Sequence, residues 1–307
     1  MRKAILPYGY FLALAAILSA AIPGHAQTAP VTTVVTVLGP KFTPPPAIGK
    51  DDLAVYEGKE KRDINSWVPA QGDKAALELA IMIDDSDSSD LGIQFNDITS
   101  FIKSLPKSTG VAIFYASNGR VQAASQFSTD HDAVAKALRL PFGRGAAYSS
   151  IYLSLMDLIS RWPVTGARRE ILLLADGIDR LRGDPFSPDV PATVEKAQKA
   201  GIITHTLYTS GVGRFSRNFY RVSLGQSNLA QLSDGTGGES FFQGTQTPIS
   251  FAPYLQQLET ALKNQFFLTY ATERSKKKGG ELRSFRVHSE QRDVEISHPS
   301  KVLVPGP

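Results

Sequence analysis

Five consecutive apolar residues, Leu79 to Ile83, run without a break into Asp84-Asp85-Ser86-Asp87-Ser88-Ser89-Asp90. A short strand with no polar alternation has both faces buried, which requires a parallel sheet covered by helices on each side. In such sheets ligands gather beyond the carboxyl ends of the strands, near the switch in strand order. An apolar strand that ends in four Asp and three Ser therefore constrains the fold and marks a candidate site together. Burying that much negative charge requires a cation to accompany it.

The rest of the chain supports that architecture. Val111–Ala116, Ile171–Ala175 and Ile202–Tyr208 read as further strands, and Asn118-Gly119 is a hairpin signal leading into Val121–Phe127. Between them, Ile98, Phe101, Ile102 and Leu105 recur at helical spacing, as do Ile151, Leu155, Leu158, Ile159 and Trp162. A helix over 191–200 stops at Gly201. Leu229 and Leu232 mark a short helix closed by Gly235 and Gly237-Gly238. Phe251, Leu255, Leu258 and Leu262 define a last one. The pattern predicts an α/β fold: a doubly wound, mainly parallel sheet with one antiparallel edge strand.

Four segments follow. Residues 1–26 form a signal peptide, with Arg2 and Lys3 ahead of an apolar run and small Gly24 and Ala26 at the cleavage positions. The run is too short to span a bilayer comfortably, so no stable membrane insertion is expected after cleavage. Residues 27–74 form an N-terminal β segment with a linker at Pro44-Pro45-Pro46. Residues 75–265 form the main α/β domain, and 266–307 a C-terminal β tail whose strands pair with the N-terminal segment in a small β-rich flank. The expected location is exported, periplasmic or secreted. With no Cys, the folded chain has no disulfide and no thiolate chemistry.

Charge argues against a nucleic-acid partner. Of the 33 Lys and Arg, two leave with the signal peptide, so 31 face 29 acidic residues and the net charge is +2. The basic run Lys276-Lys277-Lys278 precedes Gly279-Gly280 and reads as a solvated hairpin turn.

Asp84, Ser86 and Ser88 have the D-x-S-x-S spacing of the metal-ion-dependent adhesion site of von Willebrand factor A domains. Ile171 to Gly177 resembles that family's later strand with its metal-site Asp, here Asp176, and the order of elements is similar over roughly 75 to 265. The leading strands and tail resemble an exported bacterial subgroup. The resemblance implies that Ser86 and Ser88 bind a divalent ion through hydroxyls, with Asp84 and Asp176 acting directly or through water. The ion would be Mg²⁺, or Mn²⁺ or Ca²⁺, as hard oxygen donors suit. An open coordination position would receive an Asp or Glu carboxylate from a partner protein or peptide. Two positions depart from the pattern: Asp87 stands where the family has Gly, and Ser149 where it has Thr, with Ser150 the alternative.

Other readings compete. The Asp/Ser loop caps the following helix in the plainest one. A metal-free structural or assembly module with a degenerate site is the runner-up function. The third is a Mg²⁺-dependent phosphatase of the haloacid dehalogenase type, with Asp85 as nucleophile, Asp87 as acid, and Asp176 and Asp179 as the later acidic motif. It lacks a Lys after an intermediate strand and a Gly before Asp176, so no enzyme is expected. An EF-hand begun at Asp85 puts Asp90 at the required Gly and Asn96 at the final Glu. Asp179 and Arg180 either rim the site or form a local ion pair. The Ser210–Ser223 loop, with Phe215, Phe219 and Tyr220, is either a contact surface or packs on the sheet edge.

Overall fold

The computed structural model describes residues 28–143, 150–181, 187–212 and 218–307. The signal segment and Ser149 lie outside them. In chain order the elements are β1 (Thr28–Leu38), β2 (Leu53–Glu57), β3 (Glu60–Arg62), β4 (Ile64–Pro69), β5 (Leu77–Asp84), α1 (Phe95–Ser104), β6 (Thr109–Ser117), β7 (Arg120–Ala123), α2 (His131–Ala135) and α3 (Ile151–Arg161). They continue as β8 (Arg168–Ala175), α4 (Asp189–Ala200), β9 (Ile202–Tyr208), α5 (Phe219–Thr236), β10 (Ser240–Phe241), α6 (Ala252–Lys263), β11 (Gln265–Glu273), β12 (Glu281–Ser289), β13 (Glu295–Ser297) and β14 (Lys301–Val304).

The central sheet has the order β10-β9-β8-β5-β6-β7, parallel throughout except for β7. That antiparallel edge strand turns back from β6 through Asn118 and Gly119, whose φ angles of 53° and 69° suit a two-residue hairpin. Successive residues of β5 divide between two cores. Ala80 and Met82 pack with α3, α4 and α5, while Leu79, Ile81 and Ile83 pack with α1 and α6. Burial on both faces is why this strand reads as an unbroken apolar run.

β5 pairs with β6 on one side and β8 on the other, so the chain reverses its direction of travel across the sheet between β5 and β8. This is the topological switch point, and it sets the loop after Asp84 beside the loop after Ala175.

The two ends of the chain form two four-stranded antiparallel sheets, β13-β1-β11-β4 and β14-β12-β2-β3. They share a core of Val31, Val35, Val55, Leu268, Tyr270, Phe285, Val287 and Val302, with the Tyr270 and Phe285 rings stacked 5.7 Å apart. Inside it Glu57 accepts hydrogen bonds from Tyr270 (2.9 Å), Thr272 (2.8 Å) and Arg283 (2.9 Å). The flank meets the main sheet at the amino ends of its strands: Ser300 N–H donates to the carbonyl of Gly235 at the end of α5, 3.1 Å away, and Arg168 at the start of β8 bonds to Gln265.

Two sequence expectations are corrected. The Lys276–Gly280 turn is exposed, but it joins β11 to β12, which lie in different sheets, and closes no hairpin. The helix read around Leu229 and Leu232 extends back to Phe219, so the last five residues of the Ser210–Ser223 loop, Phe219 to Ser223, are helical. Asn218 caps it by accepting from the Arg221 N–H at 3.1 Å.

Candidate functional site

At the switch point, Asp84, Asp85, Ser86, Asp87 and Asp176 are all buried, yet they serve different partners. Asp84 Oδ1 accepts from the Ser86 N–H (2.9 Å) and from the Ser86 hydroxyl (2.7 Å), which turns the chain sharply after β5. Asp85 points the other way. Its carboxylate takes a bidentate pair from Arg139 (2.7 and 2.9 Å) and a third bond from the Phe142 N–H (3.0 Å). Arg139 in turn lies 3.8 Å above the Tyr115 ring and 4.1 Å from the Phe142 ring. Asp85 is thus an anchor for the loop after α2. Asp87 accepts from the Thr209 hydroxyl through one oxygen, and its Oδ1 is buried with no hydrogen-bond partner. Asp85 and Asp87, the pair a dehalogenase-type phosphatase would use, share no partner among these bonds.

Asp176 comes from the turn after β8. Gly177 follows it at φ 74°, its carbonyl accepting from the Tyr152 hydroxyl (2.7 Å) and the Asn228 amide (3.1 Å). A Cβ on Gly225 in α5 would overlap the Asp176 carbonyl, so the helix backbone sits directly against this turn. Four residues beyond Asp176, Arg180 folds back over the cluster. Its Nη1 lies 2.9 Å from Ser86 Oγ, 3.2 Å from Asp176 Oδ1 and 3.5 Å from Asp84 Oδ2, and its Nη2 pairs with Asp176 Oδ2. The guanidinium side chain is only 16% exposed.

Of the residues the sequence pattern brought forward, Asp84, Ser86 and Asp176 therefore converge, and they converge on Arg180. Ser88 stands apart, accepting from the Asp90 N–H (3.2 Å) as the cap of a short 3-10 turn. Ser150 caps α3 by accepting from the Leu153 N–H (3.3 Å). Asp179 is held by the Leu181 N–H and the Ser187 hydroxyl. The sequence offered Arg180, with Asp179, as rimming the site or as a local ion pair, and the structure puts its guanidinium inside the cluster. The signal that could have singled it out is its four-residue distance from Asp176.

The electrostatics follow from burial. Asp84 is pushed above the usual carboxylate range by desolvation, which Arg180 opposes and Asp176 reinforces. Asp87 is raised well above that range, first by burial and then by Asp84 and Asp176. For Arg180, burial alone lowers the pKa, but Asp176, Asp84 and Asp87 together raise it, so the guanidinium stays charged.

Hard oxygen donors of this kind suit Mg²⁺ or Ca²⁺ in chemistry. Their arrangement does not leave them free for such an ion, because the guanidinium already donates hydrogen bonds to Ser86 and Asp176 and forms an ion pair with Asp84. Among the described residues, no group of three or more acidic, His or Cys side chains is arranged to hold a metal ion.

No family model and no curated protein sequence matches this chain. Solved structures do resemble it. A von Willebrand factor type A protein from Catenulispora acidiphila aligns at 10% identity and TM-score 0.40, over 83% of this chain and 73% of that one. The TFIIH p34 N-terminal domain aligns at 15% identity and TM-score 0.40, over 60% of this chain and 96% of that one. Proximal thread matrix protein 1 from the mussel byssus aligns at 12% identity and TM-score 0.41, over 61% of this chain and 46% of its own length. At these identities the likeness concerns the fold and carries no function across.

Proposed function

We propose that this chain is an exported binding module that docks a partner protein through the face at the carboxyl ends of its parallel strands. The observation that supports this is where its exposed apolar side chains lie. Ile93 (75% exposed) follows β5, Leu140 and Phe142 lie in the loop that Asp85 anchors, and Leu181 follows Arg180. Phe219 (73%) and Tyr220 open α5 after β9, and Phe242 and Ile249 (96%) follow β10. Among the described residues the other exposed large apolar side chains are Val164 and the less open Val68. Large exposed apolar patches mark interaction surfaces, and aromatic side chains are enriched in them.

The same face carries the Asp84–Ser86–Asp176–Arg180 cluster at its centre. Arg180, the cation within that cluster, is already paired with Asp84 and Asp176 and so is not free to receive the partner carboxylate that a metal-centred site would bind. Docking on this reading rests on the apolar rim. Export rests on residues 1–26, and an N-terminus at Gln27 in the mature protein would support it.

The test places a photo-crosslinking amino acid at Ile93, Phe219 or Val164. Val164 precedes β8, at the other end of the sheet. Crosslinks to a common partner from Ile93 and Phe219 but not from Val164 are expected. Equal capture from Val164, or none from the rim, would refute the docking face.

A further inference from the structure

We propose that Arg180 is the resident cation of this site, standing in the place of a divalent metal, so that the carboxyl-end face keeps its form without one. The first argument is geometric. A single guanidinium nitrogen reaches Ser86, Asp176 and Asp84 at 2.9, 3.2 and 3.5 Å. These are three of the residues whose oxygens the family resemblance assigns to an ion, so ion and guanidinium compete for one position.

The second argument is packing. Gly211 closes over the pair: a Cβ there would overlap both Arg180 Nη2 and Asp176 Oδ2, so the backbone leaves no room beside the guanidinium. This lid is fixed in turn, because Asp87 and Gly211 form an antiparallel bridge and the Ser88 N–H donates to the Ser210 carbonyl at 3.4 Å. An entering ion would have to evict a side chain that is itself mostly buried.

The third argument is charge. Asp84, Asp87 and Asp176 bring three carboxyl groups into one buried cluster, and a lone buried carboxylate is costly without a counter-charge. Arginine cannot be deprotonated under folding conditions and offers several donors in a fixed fork, so it can hold two carboxylates and a hydroxyl together. Asp87 and Arg180 are complementary on this reading: Asp87 adds a carboxyl group to the cluster, and Arg180 supplies the cation that lies within it. The inference concerns stability of the face, and so stands or falls separately from what docks on it.

The experiment is a thermal melt of the protein, Arg180→Ala and Arg180→Lys, each in EDTA and in millimolar Mn²⁺. For the unaltered protein the two melts should coincide. Arg180→Ala in EDTA should melt about 10 °C lower, the scale expected when one partner of a buried ion pair is removed. Mn²⁺ should restore a large part of that loss by binding the donors that the guanidinium vacates. Arg180→Lys should lose less than half as much as Arg180→Ala. Should Arg180→Ala fold only in Mn²⁺, the inference is upheld in its strongest form. A metal-dependent rise in the unaltered protein would overturn it. So would an Arg180→Ala melt equal to the parent's in EDTA, or no recovery in Mn²⁺. Equal losses in the Ala and Lys variants, including failure of both to fold, would assign the residue a packing role instead.

Discussion

Gly225 sits in the interior of α5, where the usual expectation is that Ala stabilises. Glycine in a helix interior costs about 1 kcal/mol relative to Ala. Here the sign should invert. A Cβ at this position overlaps the Asp176 carbonyl oxygen and comes 3.2 Å from its carbon, and both atoms are backbone. The neighbour cannot swing aside, because Gly177 is clamped by Tyr152 and Asn228 and occupies positive φ against the same helix. Overpacking of this kind costs about 1–3 kcal/mol, and more where backbone must move. Set against the gain in propensity, Gly225→Ala should lose about 2 kcal/mol, or about 4–8 °C in melting temperature for a chain of this size. Gly235→Ala, in the same helix, is the comparison. Its Cβ would come 2.6 Å from Val194 Cγ1, a side-chain rather than a backbone neighbour. It should lose less than Gly225→Ala in the same thermal melts. A Gly225→Ala protein as stable as the parent, or more so, would refute the claim that α5 presses on the Asp176 turn.

Asp85→Asn should cost about 2–4 kcal/mol, because it leaves the Arg139 guanidinium without its buried partner. Hydrogen exchange should show faster opening at Phe142 and Gly143, whose N–H groups bond to Asp85, while β8 and β9 stay protected. In the flank, Glu57→Gln should cost about 2–3 kcal/mol through weakened bonds to Arg283, Thr272 and Tyr270. Burial pushes the Glu57 pKa up, but Arg283, Thr272 and Tyr270 outweigh it and leave the pKa below the ordinary 4.5. Its stabilisation is therefore complete above pH 4.5 and is lost as pH falls through the lower folded value. Glu57→Gln should flatten that acid limb of the stability profile, and an unchanged limb would contradict the assignment.

Most of the main sheet was legible because its strands are buried on both faces. Leu79–Ile83, Ile171–Ala175 and Ile202–Tyr208 carry no alternation to confuse with a surface strand, and each is a strand in the structure. α5 was read short for a physical reason: Gly225, Gly235 and a run of Ser, Gln and Asn dilute its apolar stripe. The tail was harder. Lys276–Gly280 has hairpin chemistry locally, but β12 finds its partners in β14 and in β2 near the start of the chain, where Phe285 lies opposite Glu57. Pairing at that distance leaves no local trace. At the site, the family resemblance brought Asp84, Ser86 and Asp176 together, and they do meet because strands on either side of a switch point end side by side, whereas Ser88, part of the same spacing, caps a 3-10 turn instead. What fills the space between them was not legible, because it depends on how Arg180 folds back after Gly177.

The most direct measurement is a crystal structure of the protein grown in millimolar Mn²⁺, with anomalous data collected near the manganese edge. The account predicts guanidinium density from Arg180 between Asp84, Ser86 and Asp176, with no anomalous peak among them. A manganese peak at that position with Arg180 displaced would contradict it, and would return the site to the metal-dependent pattern that its D-x-S-x-S spacing resembles.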